Sequence, residues 1–211
     1  MATPTKKQTS PSSKAKSVPI IGIVFGVIAV LAVVAVVFAG NTAPGSEYGE
    51  PQVQGQLSAM PPDAAVDTSA AGETAPTVIG EDFDGNEVRI ENDGVAKAIV
   101  ILAHWCPHCQ NEVPEVQAWL NSGGGVEGTQ IYSVASAINS TQPNYPPSAW
   151  LESEGWTPPV IRDDANNSVL KAYGSGGFPY WVFVNSDGTV AVRAAGEIGV
   201  DQLQQFLSGL S

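Results

Sequence analysis

Cysteine is almost missing from this chain: two in 211 residues, with only two histidines beside them. Cys106 and Cys109 lie three positions apart, too close to staple a fold by closing a long loop, which excludes a disulfide scaffold and points to chemistry instead. No third histidine and no further cysteine exist to complete a metal set. A closed zinc site would have to draw all of its ligands from the one short turn His104–Cys109, so no resident metal is expected. Positive charge is also scarce. Beyond Gly40 there are five Lys/Arg against all 21 Asp/Glu, a net of −16. Such a surface repels nucleic acid and anionic lipid, and it suits solubility in an exported domain.

Charge of either sign is absent from Val18 to Gly40, a run of 23 residues dense in Val and Ile. As a helix it would measure about 35 Å, enough to span a hydrocarbon core of about 30 Å. Lys6, Lys7, Lys14 and Lys16 all precede it, which places the N-terminus in the cytoplasm and the rest outside. The run is longer than a signal-peptide core, so it reads as a retained single-pass anchor. Residues 1–17, polar and lysine-bearing, read as a cytoplasmic disordered tail. Residues 41–75 are rich in Pro, Gly and acids and read as an extracytoplasmic linker, although Gln52–Leu57 alternates enough for one extra strand.

Globular periodicities occupy 76–211. Thr77–Ile79 and Glu87–Ile90 look like short strands about the turn Asp84-Gly85-Asn86, and Ala96–Leu102, apolar but for Lys97, is expected as a buried central strand. A helix is expected from beside Cys106 to Leu120, then a strand over Gln130–Ala135. Helices are expected over Trp150–Gly155 and Ala165–Tyr173, a hairpin over Tyr180–Asn185 and Val190–Ala195, and a closing helix over Val200–Leu207. This order predicts an α/β fold with a mixed sheet flanked by helices.

The run His104-Trp105-Cys106-Pro107-His108-Cys109 falls where the central strand gives way to a helix. C-x-x-C in that position is a redox context. Cys106 then sits at a helix N-terminus, where free N–H groups and the macrodipole favour a thiolate, and is the expected nucleophile. Cys109, one turn further and more buried, is expected to resolve the mixed disulfide.

Trp105 to Cys109, Pro114 five residues later, and Gly177-Phe178-Pro179 ahead of a hairpin strand together resemble the thioredoxin superfamily. Its membrane-anchored TlpA-like branch is the nearest match over about Pro76 to Leu210, while the dipeptide Pro107-His108 is the one that DsbA carries. The resemblance implies a thioredoxin-like fold, a cis Pro179, a Phe178 backbone that pairs with substrate beside Cys106, and a Trp105 that flanks the nucleophile. It implies no cofactor beyond the redox-active disulfide Cys106–Cys109. Partners would be exported thiol or disulfide proteins and a membrane redox partner that resets the pair. One departure stands out: thioredoxins have a buried aspartate six residues before the first cysteine, and here that residue is Val100. Glu112 and Glu115 are expected to be solvated surface carboxylates.

Two rivals are weaker. Copper-carrying relatives use C-x-x-x-C with a distant histidine, and thiol peroxidases need proline at position 99 and threonine at 103, where Ile99 and Ala103 stand. Direction is the open point. His108 in the first helical turn would add positive field at Cys106, stabilise the reduced pair and tilt the expectation toward oxidising or isomerising exported proteins. The alternative is a TlpA-like reductase serving cytochrome c maturation.

Overall fold

The computed structural model describes Met1 and residues 46–211. The expected membrane helix at 18–40, and nearly all of the expected tail, fall outside the described residues. Among the described residues no helix is long and apolar enough to cross a membrane.

Nine strands and four helices follow one another from Gln52. They are β1 (Gln52–Gln54), β2 (Val66–Asp67), β3 (Thr77–Glu81), β4 (Glu87–Ile90), β5 (Ala96–Leu102), α1 (Pro107–Asn121), β6 (Thr129–Ala135), α2 (Pro147–Ser153), β7 (Val160–Arg162), α3 (Ser168–Ala172), β8 (Tyr180–Val184), β9 (Val190–Ala195) and α4 (Gly199–Ser208). All seven residues of β5 are buried, the six apolar ones as expected and Lys97 with them. It is central in a six-stranded sheet of order β2-β9-β8-β5-β6-β7, parallel to β6 and antiparallel to β8. A separate antiparallel sheet, β1-β3-β4, covers one face.

Alternation along β5 divides the core in two. Ile99 and Ile101 face a cluster with Val78, Ile90, Val134, Ile161 and Tyr173. Ala98, Val100 and Leu102 face the other side, with Cys109, Val113 and Val116 of α1 and Leu203 and Leu207 of α4. A strand buried on both faces is apolar on both, which is why β5 shows no alternation; its one charged residue, Lys97, is buried and paired with Asp93.

The expected linker ends much earlier than position 75. Val53 of β1 pairs with Val78, and Val66 of β2 pairs with Ala194. Leu57, Met60 and Ala70 are buried core residues. Their backbone is tied down as well, with Leu57 N–H donating to Ala172 O at 2.8 Å and Met60 N–H to Gly174 O at 2.9 Å. Asp67 forms a buried ion pair with Arg193, whose Nη1 also donates to Ser58 O at 2.6 Å. The domain therefore includes residues 46–75. Proline and glycine prevent helix there but not short edge strands. β7 is a second addition, a three-residue strand after Pro158-Pro159 that ends in the buried Arg162. The helix expected over Trp150–Gly155 begins earlier, at Pro147, and ends at Ser153, while the one expected over Ala165–Tyr173 is shorter, Ser168–Ala172.

Candidate active site

Cys106 is the N-cap of α1, with extended backbone (φ −76°, ψ 122°), and Pro107 follows in the first turn, where a missing N–H breaks no helical bond. The β5–α1 junction thus presents Cys106 at the end of a 15-residue helix, as the sequence predicts. Both cysteines are free thiols. Cys106 keeps 7% of its surface and Cys109 none. Burial pushes the Cys109 thiol well above its ordinary value, and the neighbouring Cys106 sulfur and the Glu112 carboxylate push it further.

Phe178-Pro179 is a cis peptide. The Cys106 thiol faces it, donating to the Phe178 carbonyl at 3.6 Å. Trp105 stands edge-on to the Phe178 ring, with centroids 5.9 Å apart and planes at 82°, and its indole N–H donates to Ala137 O at 2.7 Å. The structure therefore brings together Trp105, Cys106, Pro107, Cys109, Phe178 and Pro179, all named by the sequence. Tyr145-Pro146 is a second cis peptide, which the sequence did not signal.

His108 points outward, 63% exposed, and its Nδ1 lies 3.2 Å from Glu197 Oε2. Asn111 Nδ2 donates to the same oxygen at 3.3 Å. Glu197, on the β9–α4 loop, is 89 positions away in sequence and carried no signal there. His104 is buried, with Nδ1 2.7 Å from Pro143 O and Nε2 accepting the Asn139 N–H at 3.1 Å. A carbonyl can only accept, so Nδ1 bears the hydrogen and both ring nitrogens are committed to backbone. That leaves His104 no lone pair for a metal.

Glu112 overturns its expected surface position. It is 1% exposed, accepts the Trp181 indole N–H at 3.3 Å on Oε2, and accepts the N–H groups of Ile198 and Gly199 at 3.0 and 3.2 Å on Oε1. Burial raises its carboxyl above the ordinary range despite these three donors. The spacing could have revealed it. The buried residues of α1 are Cys109, Glu112, Val113, Val116 and Gln117, a stripe at helical period in which position 112 faces the sheet. Val100, where thioredoxins have their aspartate, pairs across the sheet with Trp181, and Trp181 holds Glu112. A buried carboxylate is thus supplied beside the pair from the helix instead of from the strand. Glu115 is exposed, as expected.

Residues 70–206 match the Redoxin family. The thiol-disulfide oxidoreductase ResA of Geobacillus thermodenitrificans is 26% identical over 142 residues, covering 67% of this chain and 78% of that protein. The sporulation thiol-disulfide oxidoreductase A of Bacillus subtilis is 21% identical over 124 residues, covering 59% and 73%. Among solved structures, a DsbF homologue from Corynebacterium diphtheriae superposes with a TM-score of 0.58 at 15% identity, covering 74% of this chain and 100% of that one. A thiol:disulfide interchange protein of Chlorobium tepidum gives 0.53 at 22%, covering 66% and 97%. These last two share the thioredoxin-like fold.

Proposed function

This chain belongs to the Redoxin family, and from that premise we propose that it exchanges disulfides with exported proteins through Cys106 and Cys109, predominantly as a reductant. It is a thiol–disulfide oxidoreductase. The observation that carries the reading is the arrangement of a helix-capping Cys106 beside the Phe178-Pro179 backbone with Cys109 sealed behind it.

The chemistry follows from the difference in burial. Cys106, as thiolate, attacks one sulfur of a client disulfide, forming a mixed disulfide while the other client sulfur leaves as thiolate and takes a proton. Cys109 then loses its proton and attacks Cys106 Sγ, which releases the second client thiol and closes Cys106–Cys109. Two electrons have passed to the client. A dithiol partner resets the pair by the same exchange. Phe178 offers backbone beside Cys106 against which an extended client segment pairs, and Trp105 walls the nucleophile on an apolar side.

Two carboxylates support the reductive direction. Glu112 is buried one turn beyond Cys109, and Glu197 sits against His108. Negative charge near the pair disfavours thiolates, destabilises the dithiol relative to the disulfide and makes the dithiol a better electron donor. His108 acts the other way, and it is the observation that favours an oxidant as the second reading. The lysines ahead of residues 18–40 and the acidic domain after them support a single-pass anchor with the domain outside the membrane, facing exported clients and a membrane-bound redox partner.

Reduction of insulin disulfides, driven by dithiothreitol, tests the exchange. The full chain accelerates it and Cys106→Ala does not. An inactive wild type would defeat the reading.

A further inference from the structure

Four consecutive residues after β6 are each tied to a different part of the domain. Ser136 Oγ donates to Asp163 Oδ2 at 2.6 Å. The Ala137 N–H donates to Asn167 Oδ1 at 3.0 Å, and the Ala137 carbonyl accepts the Trp105 indole N–H at 2.7 Å. The Ile138 carbonyl accepts the Tyr48 hydroxyl at 2.8 Å. The Asn139 N–H donates to His104 Nε2 at 3.1 Å. Both residues that precede Cys106 are therefore seated on this loop, and the carbonyl next to the one that accepts the Trp105 indole is held by Tyr48.

The junction is conformationally costly. Ala137 has φ 50°, in the left-handed region, with no polar side chain to favour it. Such a residue persists only where its surroundings over-determine it, and the bonds on its N–H, its carbonyl and the following carbonyl do so. Tyr48 itself is 37% exposed, so apolar burial is only part of what it contributes. The arm that carries it is docked at several points. Arg162 Nη1 donates to Ser46 O at 2.7 Å, Gly49 N–H donates to Asp163 O at 3.0 Å, and Glu47 accepts the Ser148 N–H and hydroxyl at the start of α2 at 3.1 and 2.8 Å. A side chain at position 49 would put Cβ 2.4 Å from Arg162 O, so glycine is required for the arm to lie this close.

We propose that Tyr48 is a positioning residue for thiol–disulfide exchange at Cys106, acting through the Ile138–Asn139 peptide, the adjoining Ala137 carbonyl and Trp105. The path is continuous: the Tyr48 hydroxyl fixes the Ile138 carbonyl, the adjacent Ala137 carbonyl seats the Trp105 indole, and Trp105 stands against Phe178, whose carbonyl accepts the Cys106 thiol. Without the hydroxyl the Ile138–Asn139 peptide keeps its N–H bond to His104 Nε2 but loses the bond on its carbonyl, so the adjoining Ala137 carbonyl that seats Trp105 is held less firmly and the wall beside the nucleophile loosens. The proposal rests on the exchange reading of Cys106.

The test is a double-mutant cycle on the full chain in detergent, with Tyr48→Phe, Trp105→Phe and the pair. Two quantities are read in each protein: the rate at which the reduced form reacts with oxidised glutathione, and the thermal midpoint. Loss of one neutral hydrogen bond is expected to slow the reaction about three- to tenfold in Tyr48→Phe. Trp105→Phe should slow it at least as much, and the double variant should match Trp105→Phe, because Tyr48 has nothing left to position. An unchanged rate in Tyr48→Phe, with or without a lower midpoint, would overturn the proposal. So would losses that multiply in the double variant. Insulin reduction by the wild type is measured in parallel. If it fails while glutathione still reacts at Cys106, the functional reading falls and the role of Tyr48 is still decided by the cycle.

Discussion

Trp181 donates its indole N–H to Glu112 Oε2 at 3.3 Å from inside the sheet, so a carboxylate is buried in the cluster that contains Cys109. This buried carboxylate comes from α1, whereas position 100 of β5 carries a valine. Its charge adds to the burial that raises the resolving thiol. In a Cys106→Ser background, Glu112→Gln is expected to move the titration of Cys109, followed by thiolate absorbance, to lower pH, because one cause of the raised thiol is removed. An unmoved or higher titration would mean that Glu112 does not act on Cys109.

The same carboxyl predicts a pH dependence of stability. Its folded value is raised above that of the unfolded chain, so its contribution favours the fold at low pH and is lost as pH rises through the raised value. The thermal midpoint of the wild type minus that of Glu112→Gln should therefore fall between pH 4 and pH 8. A difference that grows with pH would contradict the assigned direction.

Asp67 carries the opposite sign. Burial raises its carboxyl, but hydrogen bonds from Ser69 and the Arg193 guanidinium outweigh it and hold the group below the usual carboxylate range. Asp67→Asn leaves Arg193 buried and unpaired, at a cost of about 3–5 kcal/mol. For a domain of this size that is a drop of order 10 °C in Tm. Because the folded value is depressed, this stability is present above about pH 4 and fades as pH falls further, so the two proteins should converge in acid. A chain begun at Ala71 loses Asp67 together with Leu57, Met60 and Ala70, and should not give a folded soluble domain, whereas one begun at Ser46 should.

Exchange roles follow from exposure. Cys109→Ala should accumulate mixed disulfides with clients through Cys106, and Cys106→Ala should accumulate few, because Cys109 has no exposed surface. Equal trapping by the two variants, on non-reducing gels, would reverse or dissolve the assignment.

The central strand, the active-site helix and the redox pair were legible in the sequence because each has a local signature: an apolar run, a C-x-x-C at a strand end, and Phe178-Pro179 before a hairpin. Residues 46–75 were hidden because their contribution is made by isolated apolar side chains such as Leu57 and Met60, and by short strands whose partners lie far along the chain. Pro and Gly in the same stretch give a linker composition without giving a linker. The charge of Glu112 points to the surface, while its position on the helical stripe puts it inside. Glu197 and Tyr48 reach the site only through folding, across 89 and 90 positions, and no local pattern announces them.

On the proposed reading, His108 and Glu197 act on the pair with opposite sign. Glu197→Gln removes a negative charge from the vicinity of the dithiol and should shift the equilibrium with glutathione toward the reduced protein by about two- to fivefold, while His108→Pro should shift it the other way. Either change in the wrong direction would show that these side chains do not act through charge.

The reduction potential of the Cys106–Cys109 pair, titrated against glutathione with both thiols counted, tests the account most directly. A single two-electron transition between about −230 and −280 mV, on the thioredoxin side of the range, is the predicted result. A value near or above about −180 mV, where protein disulfide isomerase lies, would contradict the reductive direction, and the absence of any two-electron transition would contradict the redox pair itself.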